Sequence, residues 1–195
     1  MKTLCVFCSS SDAVGSIYSS VARELGALIA KKDYRLIYGG CHVGLMGKVA
    51  IAVKTNGGKV TGIIPQVIHD RALAYKDCDE LIVTKDLRER KALMQEKSDA
   101  FITLPGSFGT LEESLELITL KQLGLHNKPI VFINTNDFYK PLLELFEQLY
   151  QQKFVKEEYR ELYYLANTPA DALDYLRSYR PKEFEINKWS SGNNS

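Results

Sequence analysis

Neither sign of charge prevails in this sequence: 25 lysines and arginines stand against 24 aspartates and glutamates, a net charge of +1. That balance excludes the global basic field of a nucleic-acid binder, and there is no acidic tail. Long apolar runs are missing too. The opening MKTLCVFCSS carries one lysine and then a short β-like run, too short for a secretory leader and far too short for a membrane span. Histidine is scarce, with three in 195 residues, and no Cys/His set has zinc-ligand spacing, so no metal is expected. The four cysteines, Cys5, Cys8, Cys41 and Cys78, in a chain without a secretory signal imply reduced thiols and a cytoplasmic setting. Cys5 and Cys8 do form a C-x-x-C. The redox version of that motif opens a helix, whereas Cys5 lies inside the strand-like TLCVF, so the pair reads as buried structural thiols.

Two familiar phosphate signatures are also absent. No Gly-Lys-Ser/Thr follows a glycine-rich loop, which excludes the P-loop, and no G-x-G-x-x-G stands at the first strand-to-helix turn. There is no internal repeat, linker or low-complexity segment.

What the chain does have is alternation. At 22.0 kDa, with 45% hydrophobic and 25% charged residues, it is large enough for one well-filled core without disulfides. Strand-like runs at 3–7, 35–38, 59–65, 80–84, 100–104, 129–134 and 162–166 are separated by helical patterns at 17–32, 44–55, 86–97, 110–123, 138–152 and 169–179. The strands show little polar alternation, so both their faces should be covered. This predicts an α/β fold: a single-domain, Rossmann-like, doubly wound parallel sheet with helices on both faces, spanning 1–180, and a polar tail at 181–195. Such sheets bind ligands at the carboxyl ends of their strands. Three small or glycine-rich loops fall there: 8–16, 39–44 and 105–109.

The segment FITLPGSFGTLEE, from Phe101 to Glu113, concentrates the chemistry. Gly106 and Gly109 allow close approach of backbone to a ligand, and Thr110 is expected to cap the following helix. In that helix Leu111, Leu115 and Ile118 form one apolar stripe, and Glu113, Leu117 and Leu120 a second. Glu113 is the odd member of a face that otherwise wants burial, while Glu112 and Glu116 lie on a more polar side. A carboxylate held partly out of water is a candidate base or electrostatic stabiliser. The preceding helix supplies the opposite charge. Asp86 is the expected N-cap with Glu89 three residues on, a capping-box pattern. Arg90 and Lys91 share a face with Leu87 and Met94, interrupting an apolar stripe in a first turn where the helix dipole disfavours cations. A bound anion explains them better than a solvated face, with Arg suited to bidentate phosphate contact and Lys to acting as a point charge. Together these pieces suggest a nucleotide-sized ligand. His42 reads as a hydrogen-bonded loop residue, and His69 and His126 as surface residues.

Beyond these local readings, YGGCHVGLMGKVA (38–50), GKVTGIIP (58–65), ERKALMQEKSDAFITLPGSFGTLEE (89–113) and ELITLKQLG (116–124) resemble the LONELY GUY (LOG) proteins, cytokinin riboside 5′-monophosphate phosphoribohydrolases often labelled lysine decarboxylases. The resemblance runs from CVFCSSS to about residue 135. It implies hydrolysis of the N-glycosidic bond of a nucleoside 5′-monophosphate, N6-isopentenyl-AMP or AMP, to free base and ribose 5-phosphate. It further implies no metal or organic cofactor, and a homodimer with its site near the interface. By motif position, Arg90 and Glu113 would be the catalytic pair. Lys91, Gly106, Ser107, Phe108, Gly109, Thr110 and Thr119 would contact the nucleotide, with Gly39, Gly40 and Ser10 lining the pocket. Ser107 stands where the family motif P-G-G-x-G-T-x-x-E has its second glycine, and Ala72 where many relatives have glutamate. A non-catalytic nucleotide sensor on the same fold is the alternative. A pyridoxal-phosphate decarboxylase lacks support, since no lysine stands in a recognisable Schiff-base context.

Overall fold

In the computed structural model, which describes residues 2–182, the apolar runs are parallel strands and the amphipathic segments the helices that cross between them. The order is β1 (Thr3–Phe7), α1 (Ser16–Lys31), β2 (Arg35–Tyr38), α2 (Gly44–Thr55), β3 (Lys59–Pro65), α3 (Gln66–His69), β4 (Glu80–Thr84), α4 (Leu87–Lys97) and β5 (Ala100–Thr103). The chain continues with α5 (Phe108–Gln122), β6 (Ile130–Ile133), α6 (Lys140–Gln151), β7 (Tyr164–Ala166) and α7 (Pro169–Ser178). Among the described residues the sheet has seven strands in the order β4-β3-β2-β1-β5-β6-β7, and every pairing is parallel.

Both faces of the sheet are covered, as the continuous apolar strands require. On one side Leu4, Val6, Leu36 and Ile102 meet Leu25 and Ile29 of α1, Val49 and Val53 of α2, and Leu173 of α7. On the other, Cys5, Phe7, Ile37 and Phe101 meet Met94 of α4 and Leu117 of α5, with half-buried Leu142 of α6. The doubly wound fold is therefore as expected. Cys5 and Cys8 are buried free thiols, and burial pushes both thiols up in pKa.

Several local expectations need correction. The α5 helix begins at Phe108 with Ser107 in the N-cap position and no side-chain cap, so Thr110 caps nothing. Its side chain instead fills the space over Gly106, where a Cβ would lie 2.1 Å from Thr110 Oγ1. The buried face of α5 is Thr110, Glu113, Ser114, Leu117 and Lys121, and Leu115, assigned to an apolar stripe, is exposed. The last strand shortens to Tyr164–Ala166, because Glu157–Leu162 forms a 3-10 turn. His126 is half-buried rather than on the surface. Its Nε2 bonds the Leu117 carbonyl at 3.0 Å and its ring leans on Phe101. The polar tail expected from residue 181 lies outside the described residues from 183 onward. No described helix is long and apolar enough to cross a membrane.

Candidate active site

The strand order reverses between β1 and β5, and a ligand crevice forms outside the carboxyl ends of strands at such a point. Three loops converge there and are welded through Ser9. Its N–H donates to the Pro105 carbonyl at 3.2 Å, and its carbonyl accepts from Leu45 and Met46 at 2.9 and 3.3 Å. From the far side Tyr139, itself buried, donates its hydroxyl to the Leu104 carbonyl at 2.8 Å. The first N–H groups of α2 are thus used up inside the protein. Those of α5 are not: no hydrogen bond among the described residues takes up the N–H of Phe108, Gly109 or Thr110. This helix end is left free to meet an anion.

A cavity of about 130 Å³ opens at this place. The end of β1 supplies its floor with Val6, Phe7 and Cys8, followed by Ser10, while Gly39 and Met46 line one wall. Arg90 enters from α4, and Ser107, Gly109, Thr110 and Glu113 close it from α5.

Arg90 reaches the cavity because its helix starts where it does. Asp86 caps α4 by accepting from the Arg88 and Glu89 N–H groups, both at 2.9 Å. Glu89 reaches back to the Lys85 N–H at 2.8 Å, one residue beyond a regular capping box. Inside the cavity an Arg90 Nη2 hydrogen donates to Glu113 Oε1, and both side chains are almost covered. Burial pushes Glu113 up from 4.5 to about 7, with the Arg90 guanidinium restraining the rise. The result is a carboxyl group held above the usual carboxylate range by burial, beside a fixed positive charge. Arg90 Nε is buried and has no partner among the described residues, so the guanidinium keeps donor capacity for a ligand.

Of the residues singled out in the sequence, Ser10, Gly39, Arg90, Ser107, Gly109, Thr110 and Glu113 line this one cavity. Lys91 does not. Its amine is held by Glu112 and Glu116, on the outer side of α5. Gly106 sits beneath Thr110, and Phe108 projects outward, 90% exposed. Gly40 is buried behind the wall, its carbonyl accepting from Tyr75 N–H at 2.8 Å. Thr119 is exposed near the far end of α5, its hydroxyl bonded to the Leu115 carbonyl. His42 is the hydrogen-bonded loop residue expected: its Nδ1–H and its backbone N–H both donate to the Leu73 carbonyl, at 2.8 and 2.9 Å. Sequence reasoning missed Met46 and Cys8 as cavity walls, since each looks like an ordinary core residue. The one buried lysine on α5, Lys121, donates to the Leu162 carbonyl at 2.9 Å and is not part of the cavity.

A parallel, doubly wound sheet with a buried arginine–glutamate pair in a cavity at its switch point places the chain among Rossmann-like proteins. The comparisons narrow that class. A family model described as "Possible lysine decarboxylase" matches residues 46–176. A probable cytokinin riboside 5′-monophosphate phosphoribohydrolase of Oryza sativa subsp. japonica is 39% identical over 185 residues, covering 95% of this chain and 76% of the relative. The cytokinin riboside 5′-monophosphate phosphoribohydrolase of Rhodococcoides fascians is 40% identical over 178 residues, covering 91% and 90%. The chain belongs to this LONELY GUY family of phosphoribohydrolases and is an enzyme of that class. Among solved structures, a molybdenum cofactor binding protein from Rippkaea orientalis matches with a TM-score of 0.72 at 22% identity, over 91% of this chain and 96% of its own. The Moco carrier protein from Chlamydomonas reinhardtii matches at 0.69 and 21%, over 90% and 95%. At such identities the likeness shows the fold alone.

Proposed function

We propose that the cavity binds a nucleoside 5′-monophosphate, AMP or an N6-modified AMP such as isopentenyl-AMP, and hydrolyses its N-glycosidic bond to free base and ribose 5-phosphate. The observation that carries this is the buried Arg90–Glu113 pair beside the free end of α5. The N–H groups of Phe108, Gly109 and Thr110, with Ser107 and Ser10, take the phosphate at the positive end of the helix. Arg90 adds a charge-assisted contact and fixes the sugar, so that binding energy at the phosphate orients the bond to be broken. Lys91, whose amine is paired with Glu112 and Glu116 outside the cavity, lends at most a more distant positive charge. Cleavage of the glycosidic bond passes through an oxocarbenium-like state. Glu113, as carboxylate, stabilises the developing positive charge and orients or deprotonates the attacking water. The departing base takes the electron pair of the broken bond and a proton, from solvent or from Glu113 once it has deprotonated the water, and the reading calls on no metal or organic cofactor.

The same reading includes a homodimer, for which the outer side of α4, α5 and α6 is the candidate face. There α4 buries only Met94 and α6 only Tyr150, while Leu87, Leu115, Leu123 and Leu125 are exposed. A homodimer through this face would cover them and give Thr119 a place at the site. The reading also carries a cytoplasmic setting, no nucleic acid and no membrane.

The test is chromatographic. Purified protein is incubated with AMP and with N6-isopentenyl-AMP, alongside Glu113→Gln, and free base is measured. The reading expects base from the wild type and a loss of at least about a hundredfold in the variant. Nucleotide that binds but is never cleaved would leave a sensor in place of a hydrolase.

A further inference from the structure

The helix that carries Glu113 is seated by buried Leu117 with half-buried Leu111 and Ile118, and by Lys121 on the Leu162 carbonyl, but around Glu113 itself its covered face is polar. A helix is normally set against a sheet by an apolar stripe, yet the fully covered face of α5 is Thr110, Glu113, Ser114, Leu117 and Lys121, with a single apolar member. Rotation by one residue, about 100°, would replace Glu113 by a neighbour. One such neighbour, Glu112, is already engaged on the outer side with Lys91.

A short chain of hydroxyls crosses from the sheet to this face. Ser114 Oγ donates to the Thr110 carbonyl at 2.7 Å, and Thr103 Oγ1 lies 2.8 Å from Ser114 Oγ. Thr103 and Ser114 are both completely buried. A hydroxyl has one proton, and Ser114 has spent its own on Thr110, so Thr103 must be the donor to Ser114. The direction of the chain is therefore fixed: Thr103 to Ser114 to the Thr110 carbonyl. Its anchor is firm, because Thr103 ends β5 and pairs in register with Phe7 of β1, in the cavity floor. Its far end holds Thr110, a cavity residue one turn before Glu113.

We infer that Thr103 and Ser114 are positioning residues for Glu113, locking the rotation of α5 so that this carboxylate, and not Glu112, faces Arg90. The inference rests on the reading of Glu113 as the catalytic carboxylate. A pin that merely holds a helix to a sheet would affect stability alone; a rotational lock also governs where the carboxylate sits and how deeply it is buried.

Thr103→Val removes the donor at nearly constant shape, Thr103→Ser keeps it, and Ser114→Ala breaks the chain at its centre. For each, kcat and KM with AMP are measured per folded protein, together with the pH dependence of kcat. The Glu113 carboxyl titration is followed separately by NMR without substrate. Thr103→Val and Ser114→Ala are expected to lose about tenfold to a hundredfold in kcat, the scale of a small misplacement, with KM nearly unchanged. Their Glu113 midpoint should move down from near 7 as the group gains water, and Thr103→Ser should restore both. A lower melting temperature with kcat and the Glu113 midpoint unchanged would overturn the inference. Should the wild type cleave neither nucleotide, the hydrolase reading fails while the titration still decides the positioning role.

Discussion

Gly39 stands between two side chains that the cavity needs. A Cβ there would lie 2.9 Å from Met46 Sδ and 3.3 Å from Arg90 Nη1. Both are the ends of flexible chains, so the fold can yield while the site cannot. Gly39→Ala should therefore change stability by less than about 1 kcal/mol and lower kcat/KM by about tenfold or more. Urea unfolding and nucleotide hydrolysis on the same preparation check both halves; equal loss in the two would mean that the backbone, not Arg90, had moved. At this scale the sequence was most readable where charge broke a pattern. Arg90 and Glu113 were visible because each interrupts an apolar face, and a buried charge needs a reason. Met46 and Cys8 were invisible because an apolar side chain on a cavity wall has the same sequence signature as one in the core. Thr103 and Ser114 were unreadable for another reason: small hydroxyl residues declare a partner only when the partner is in view.

Elements were legible in proportion to how strongly one face decides them. The α1 helix, with Leu25 and Ile29 wholly buried, appears where its periodicity placed it. The α5 helix has the expected length and buries Glu113 and Leu117 as expected, but it exposes Leu115 and adds Thr110, Ser114 and Lys121 to the covered side, where hydrogen bonds join the apolar contacts. The closest approach of two helices is a glycine matter. At Gly26 of α1 a Cβ would meet the Val49 carbonyl oxygen of α2 at 2.5 Å and Ala52 Cβ at 2.7 Å, and neither backbone can swing aside. Gly26→Ala gains about 1 kcal/mol of helix propensity. Overpacking at the α1–α2 contact costs roughly 1–3 kcal/mol, so the variant should be less stable on balance. Denaturant midpoints decide it: a Gly26→Ala protein more stable than wild type would mean that α1 and α2 can part without loss. Arg90 and Glu113 lie on the opposite face of the sheet, but Met46 of the displaced α2 lines their cavity, so some loss of nucleotide affinity should accompany the loss of stability.

Across the whole molecule the pattern of alternating strands and helices carried the fold class, but not the place where strand order reverses. That reversal is set by long-range pairing of β1 with both β2 and β5, which no local window contains. The site placed at the reversal has a cost that pH can expose. Burial raises Glu113 from 4.5 to about 7. Between those values the folded protein holds a proton that the unfolded chain has released, so this group contributes stability below pH 4.5 and loses it as pH rises through 7. The loss is bounded at roughly 3 kcal/mol. His126 bends the curve the other way. Burial lowers it from 6.5 to about 4, so between those values the unfolded chain binds the extra proton and stability rises with pH. In the wild type the two slopes largely hide one another. The difference between Glu113→Gln and wild type removes His126 and leaves Glu113 exposed. That difference should shift in favour of the variant by roughly 2–3 kcal/mol between pH 4.5 and 8, on top of a constant offset from the lost contact to Arg90. Urea unfolding of the two proteins across this range gives the slope directly. A difference that does not change with pH would mean that Arg90 holds Glu113 near its ordinary value, and a carboxyl group fully ionised at neutral pH would then have no acid limb near 7 to give the reaction.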